Sequence, residues 1–128
     1  MQKVHIYTSI SSKSPKILCR RGLYRIEADT SKGVAVLENE IQVTGTANQS
    51  ELMVLAEALK RLNKKLPVVI HTDSAYVAAG FTQGRVETWM KNGWKTSKGE
   101  PVANRKEWLE VLKILCKVPF KVILNGEK

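Results

Sequence analysis

The chain has 128 residues, of which 43% are hydrophobic, and 21 Lys and Arg stand against 12 Asp and Glu for a formal net charge of +9. That length suits a single domain spanning residues 1–128 with enough apolar material for a real core, and no stretch is long and apolar enough to cross a membrane. The cationic excess favours a polyanionic partner, nucleic acid before an anionic membrane surface, against the plain alternative of a basic surface with no special partner.

The N-terminal "MQKVHIY" runs straight into a strand pattern, so the reading expects no signal peptide and a cytoplasmic protein. "VHIYTSIS", residues 4–11, alternates Val4, Ile6 and Thr8 with His5, Tyr7 and Ser9, the period-two signature of a strand. "SSKSPK" at 11–16 is a polar turn. "LCRRGLYRIEA" at 18–28 reads as a second strand, "DTSKG" at 29–33 carries turn chemistry, and "VAVLENEIQV" at 34–43 reads as a third strand. The first half is therefore expected to be an antiparallel meander.

The period then lengthens. In "NQSELMVLAEALKRLNKK", Leu52, Leu55, Ala56, Leu59 and Leu62 recur at helical spacing, with Asn48 as the expected N-cap and cations from Lys60 to Lys65 near the C-terminus. Pro67 introduces the strand "VVIHTD", which ends at Asp73. A short helix, "SAYVAAGF", follows, then a helical stretch around Trp89, the loop "NGWKTSKGEPVA", a helix "NRKEWLEVLKILCK" with Asn104 as its cap, and a last strand "FKVIL" at 120–124. Cys19 and Cys116 lie far apart with no C-x-x-C spacing, which argues against a metal knuckle or redox pair. Cys116, among Leu112, Ile114 and Leu115, is expected in the core as a reduced thiol.

The order β-β-β-α-β-α-α-α-β implies an α/β fold, a mixed sheet flanked by helices, with a site at the carboxyl ends of the parallel strands. Ser9 and Asp73 both stand at such ends. Glu51, in the first turn of the long helix, fits a capping box with Asn48. Asp73 fits an N-cap of the short helix. His71 shares a strand face with Asp73 and is a candidate base, although a lone strand histidine, like His5, is more often structural. Between 85 and 106, Arg85, Trp89, Lys91, Trp94, Lys95, Lys98, Arg105 and Lys106 are opposed only by Glu87 and Glu100. Cations interleaved with tryptophans suit a surface that tracks a nucleic-acid backbone. The plain alternative is a solvated helix and loop with Trp89 and Trp108 in the core and the lysines exposed.

"VHIYTSIS", "NQSELMVLAEAL", "VVIHTDSAYV" and "WMKNGWKTSKGEPVANRKEW" occur in this order at spacings that resemble type 1 ribonuclease H, the enzyme that cuts the RNA strand of RNA·DNA hybrids. The resemblance runs from Val4 to about residue 126 and implies the RNase H-like fold, a five-stranded mixed sheet flanked by helices. It also implies four carboxylates holding two Mg²⁺ ions, hard cations that demand several anionic oxygens around them. Glu51 matches the family's helix acid and Asp73 its second strand acid, the two metal ligands and catalytic residues that remain. Thr46 and Asn48 match positions that touch the hybrid, and Asn104 matches one at a phosphate pocket. Trp89, Lys91, Trp94, Lys95, Thr96 and Lys98 fall on the basic protrusion that grips the hybrid.

Two departures qualify the match. The family's first strand ends T-D-G-S, whereas this one reads Thr8-Ser9-Ile10-Ser11, so a neutral hydroxyl stands where the metal-bridging acid belongs. The family continues into a helix bearing its fourth acid, whereas this chain ends "ILNGEK", with Glu127 as the one acid left nearby. Ser9 is read as a lost catalytic position, and Mg²⁺ or Mn²⁺ is expected to bind weakly. Three readings follow. In the first, the chain binds RNA·DNA hybrid or another duplex with cleavage lost or strongly impaired. The second is an active Mg²⁺- or Mn²⁺-dependent ribonuclease H completed by Glu127 or a partner chain. In the third, the chain is a structural remnant that meets a protein partner at the shortened C-terminal side.

Overall fold

The computed structural model describes residues 3–62 and 65–124. Glu127 lies outside the described residues. Nine elements follow in the order expected: β1 (Val4–Ile10), β2 (Leu18–Thr30), β3 (Gly33–Gly45), α1 (Ala47–Leu59), β4 (Val68–Thr72), α2 (Ala75–Thr82), α3 (Arg85–Lys91), α4 (Arg105–Leu115) and β5 (Phe120–Leu124). The strands form one mixed sheet in the order β3-β2-β1-β4-β5. β1, β2 and β3 pair antiparallel as a meander, and β1, β4 and β5 run parallel. Among the described residues no helix is long and apolar enough to cross a membrane.

The period-two pattern decides which face of the sheet is covered. Val4, Ile6, Thr8 and Ile10 of β1 are buried while His5, Tyr7 and Ser9 between them are half-buried. α1 lies across β1, β2 and β3, α2 borders β4 and β5, and α4 packs on α1. α1 buries Leu52, Val54, Leu55, Ala56, Ala58 and Leu59, which is most of its circumference, because it is sandwiched between the sheet and α4. α4 turns one narrow stripe inward, Trp108, Val111 and Leu115, at helical spacing.

α1 comes close enough to β2 that Gly22 has no room for a side chain: a Cβ there would collide with Val54 Cγ2. Gly22→Ala is therefore expected to lose about 1–3 kcal/mol of stability through overpacking, measurable as a lower urea midpoint at unchanged slope.

Three local expectations are corrected. The N-cap of α1 is Thr46, whose hydroxyl accepts from the Gln49 N–H at 3.2 Å, and Asn48 sits exposed inside the first turn. The helix starts two residues early because the strand breaks at Gly45 and leaves Thr46 extended. The N-cap of α2 is Ser74 and not Asp73, with the Ser74 hydroxyl accepting from the Val77 N–H. Cys116 is exposed and not in the core, because it follows the last inward residue, Leu115, and ends the helix facing outward; Cys19 is also exposed.

Candidate active site

The parallel pairing of β1 and β4 matches Tyr7 with His71. Ser9 lies near the C-terminal end of β1, and Asp73 directly follows the last residue of β4, Thr72, so both stand at the carboxyl ends of the parallel strands. The chain leaves β3 at Gly45 and turns at Thr46 into α1, whose second turn places Glu51 at the same end of the sheet. Helix geometry rules out the capping box: with Thr46 as cap, Glu51 is too far along the helix to reach back to the cap's backbone.

What joins the two acids is a residue the sequence reading passed over. Lys13, in the polar turn between β1 and β2, places its Nζ 2.7 Å from Glu51 Oε2 and 2.7 Å from Asp73 Oδ1. The Glu51 side chain is only 3% exposed, Asp73 is 45% exposed and Lys13 is 51% exposed, so one buried and one open carboxylate share a single ammonium. Glu51 Oε1 is buried and has no hydrogen-bond partner. Burial pushes the Glu51 carboxyl above its ordinary value, against the pull of the Lys13 hydrogen bond and charge. Partial burial works against the charge on Lys13, but hydrogen bonds to Asp73 and Glu51 outweigh it and hold the ammonium above its ordinary value.

The turn that carries Lys13 is built around a buried arginine. Arg20 is 2% exposed. Its Nε donates to the Ser12 carbonyl at 3.0 Å and one terminal nitrogen to the Lys16 carbonyl at 2.9 Å. The guanidinium also donates to the carbonyls of Ser14 and Gly45. One side chain thus binds the turn on both sides of Lys13 and ties it to the Gly45–Thr46 junction from which the helix of Glu51 starts. The sequence held a signal for Arg20: it is in phase with the inward residues Gly22, Tyr24 and Ile26 of β2, and a charge on the core face of a strand must find partners. Lys13 carries no such signal, since it lies in an exposed turn 38 and 60 residues from its two partners.

The two-metal site implied by the resemblance does not fit these residues. Among the described residues no group of three or more His, Cys, Asp or Glu is placed to hold a metal ion. One oxygen of each acid already faces an ammonium, the second oxygen of Glu51 is sealed from solvent, and Ser9 contributes no charge. Both N–H···O contacts are at the length of a charge-assisted hydrogen bond, so a divalent ion would have to displace the Lys13 ammonium to reach these two oxygens.

The remaining candidates are dispersed. His71 is stacked on Tyr7 with ring centroids 4.3 Å apart, and its Nε2 lies 3.0 Å from His5 Nδ1. Burial and then the neighbouring His5 lower its proton affinity, and it sits in a stack on the sheet face away from the helices. Lys91, Lys95, Thr96 and Lys98 are exposed on α3 and the loop after it, and Trp89 is half-buried. Trp94 takes a different part from the one expected. It is 8% exposed, adopts a left-handed backbone (φ 62°), donates its N–H to the Trp89 carbonyl at 2.7 Å and accepts from the Val102 N–H. The loop closes on itself and turns this ring inward, with its centroid 5.9 Å from that of Trp89. Asn104 stands at the N-cap position of α4 with a left-handed backbone, but its side chain makes no capping bond there; its amide instead donates to the Tyr76 hydroxyl at 3.2 Å.

Known proteins share this architecture. Among curated relatives, a ribonuclease H of Acetivibrio thermocellus is 38% identical over 111 residues, covering 87% of this chain and 73% of that protein. A ribonuclease H of Thermus thermophilus is 42% identical over 77 residues, 60% of this chain but 45% of its own length. Among solved structures, LC9-RNase H1, described as a type 1 RNase H with the type 2 active-site motif, superposes with a TM-score of 0.71 at 20% identity over 98% of this chain and 63% of its own. A foamy viral protease-reverse transcriptase in complex with RNA/DNA hybrid superposes at 0.65 and 20% identity, over 98% of this chain and 17% of that one. The RNase H family model matches residues 1–124, and with the sheet order and the curated relatives it establishes that this chain belongs to the ribonuclease H family.

Proposed function

We propose that this chain binds RNA·DNA hybrids and has lost, or very largely lost, metal-dependent cleavage of the RNA strand. The observation that carries the reading is the bridge from Lys13 to Glu51 and Asp73, beside a strand end that offers Ser9 in place of an acid. Two carboxylates engaged by an ammonium leave little negative charge with which to gather the metal ions that ribonucleases H in general employ. Binding does not depend on those acids. The exposed lysines at 91, 95 and 98, the net charge of +9, and the polar Thr46 and Asn48 at the start of the helix that carries Glu51 would supply cations and polar groups for a duplex backbone.

The decisive experiment mixes the protein with a labelled RNA·DNA hybrid in Mg²⁺ and separately in Mn²⁺, beside an Asp73→Asn control, and resolves each mixture on native and denaturing gels. The expected result is a retarded hybrid whose RNA strand stays whole. The retardation should weaken steeply with added salt, since each phosphate neutralised contributes roughly 0.7–0.9 to the slope of log affinity against log salt. A cut strand that becomes whole in Asp73→Asn would overturn the loss of catalysis. Failure to retard the hybrid at low salt would overturn the binding function.

A further inference from the structure

We propose that Lys13 is the resident cation of this site, an ammonium built into the chain where a divalent ion is expected, and that the chain grips its nucleic acid without metal. The inference rests on the reading of Glu51 and Asp73 as the site's acids and on the hybrid as its ligand.

Three observations lead to it. Lys13 Nζ lies 2.7 Å from one oxygen of each carboxylate, so a single ammonium of the chain's own already occupies the position between the two acids. The turn that presents it is held in place, because Arg20 binds the carbonyls of Ser12, Ser14 and Lys16 around it and that of Gly45 beneath. Finally, an ammonium has three N–H donors and Lys13 spends two of them on the acids. With half of the side chain open to solvent, the third is left for an acceptor outside the protein. A phosphate oxygen of a bound strand at this end of the sheet is such an acceptor. With both acids ionised the trio carries one net negative charge, and a divalent ion would have to displace Lys13 or sit beside it.

The first arm of the test uses Mn²⁺ alone, with no nucleic acid, titrated into the protein and followed by the loss of the free-ion electron paramagnetic resonance signal. Wild type is expected to bind Mn²⁺ no tighter than about millimolar, and Lys13→Ala, which frees both carboxylates, at least about tenfold tighter at one site. Adding Asp73→Asn to Lys13→Ala should remove that gain. Lys13→Met, which keeps the length of the stem, serves as the second variant if Lys13→Ala folds poorly, and denaturant midpoints check both. Micromolar binding by wild type, or equal affinity in wild type and variant, would overturn the proposal.

The second arm measures hybrid affinity in chelator at matched ionic strength. Wild type should be unchanged by the chelator, and Lys13→Ala should bind several-fold more weakly. Loss of wild-type binding in chelator would overturn metal-free grip. A protein that binds no hybrid under any condition would refute the nucleic-acid function while the Mn²⁺ arm still decides whether Lys13 holds the acids.

Discussion

Trp108→Ala is expected to cost about 3–5 kcal/mol of folding free energy, the range for deleting a fully buried tryptophan. Trp108 is the hub of the aromatic packing. Its ring centroid lies 5.5 Å from Phe81, 5.6 Å from Trp89 and 5.7 Å from Tyr76, and its Nε1 donates to the Tyr76 hydroxyl at 2.8 Å. Phe81 continues to Phe120 of the edge strand at 5.3 Å, and Trp89 continues to Trp94 at 5.9 Å. One line of rings therefore runs from the sheet to the base of the lysine-bearing loop. Alanine would leave a cavity in the middle of that line, where the indole now fills the space directly under Gly80 of α2 and a close-packed interior relaxes only in part. A urea melt measures the loss. Where the variant is still folded, its affinity for hybrid should fall roughly tenfold, because Lys91, Lys95 and Lys98 would no longer be held on one surface. Trp108→Phe keeps ring contact and should lose less on both counts.

The element order was legible because each segment carries one clear period: two in residues 4–11, helical in 52–62, and apolar with β-branched residues in 68–72. The family was legible because "TDSAYV" and "NGWKTSKGEPVANRKEW" pair unusual residues at fixed distances. What escaped the reading depends on groups brought together from far along the chain. Asn48 and Thr46 are both good capping residues, and the choice between them is made by where β3 breaks at Gly45, a tertiary matter. Trp94 resembles a ligand platform in a basic stretch, yet a left-handed backbone turns it inward. Cys116 sits among apolar residues in sequence but falls just past the last inward turn of α4. Glu51 and Asp73 each had a local capping explanation that the helix starts exclude. The cation between them comes from a turn whose sequence gives no hint of its target. Apolar periodicity reports on burial, and it is silent about which charged groups converge.

Arg20→Met is expected to destabilise the chain by about 3–4 kcal/mol while also loosening the site. Hydrogen bonds to charged donors contribute roughly 1.5–3 kcal/mol each, but part of that returns when turn carbonyls take up water, so the sum is well short of additive. The Gly45 carbonyl, beneath the turn, has the least access to such replacement. Methionine fills much of the apolar space of the stem and supplies no donors, so the loss reports on the guanidinium and not on a cavity. Arg20→Lys keeps the charge, yet a single ammonium on a shorter stem cannot reach the carbonyls of Ser12, Ser14, Lys16 and Gly45 together, and it should recover only a minor share. Hydrogen exchange should speed in residues 11–17 before any other strand or helix opens. If Arg20 serves only the stability of the sheet, Mn²⁺ binding by the folded variant will match wild type. If it holds Lys13 over the acids, as the carbonyl contacts on both sides of that residue indicate, Mn²⁺ affinity in Arg20→Met will rise toward that of Lys13→Ala, because a mobile ammonium is a weaker competitor for Glu51 and Asp73 than a fixed one.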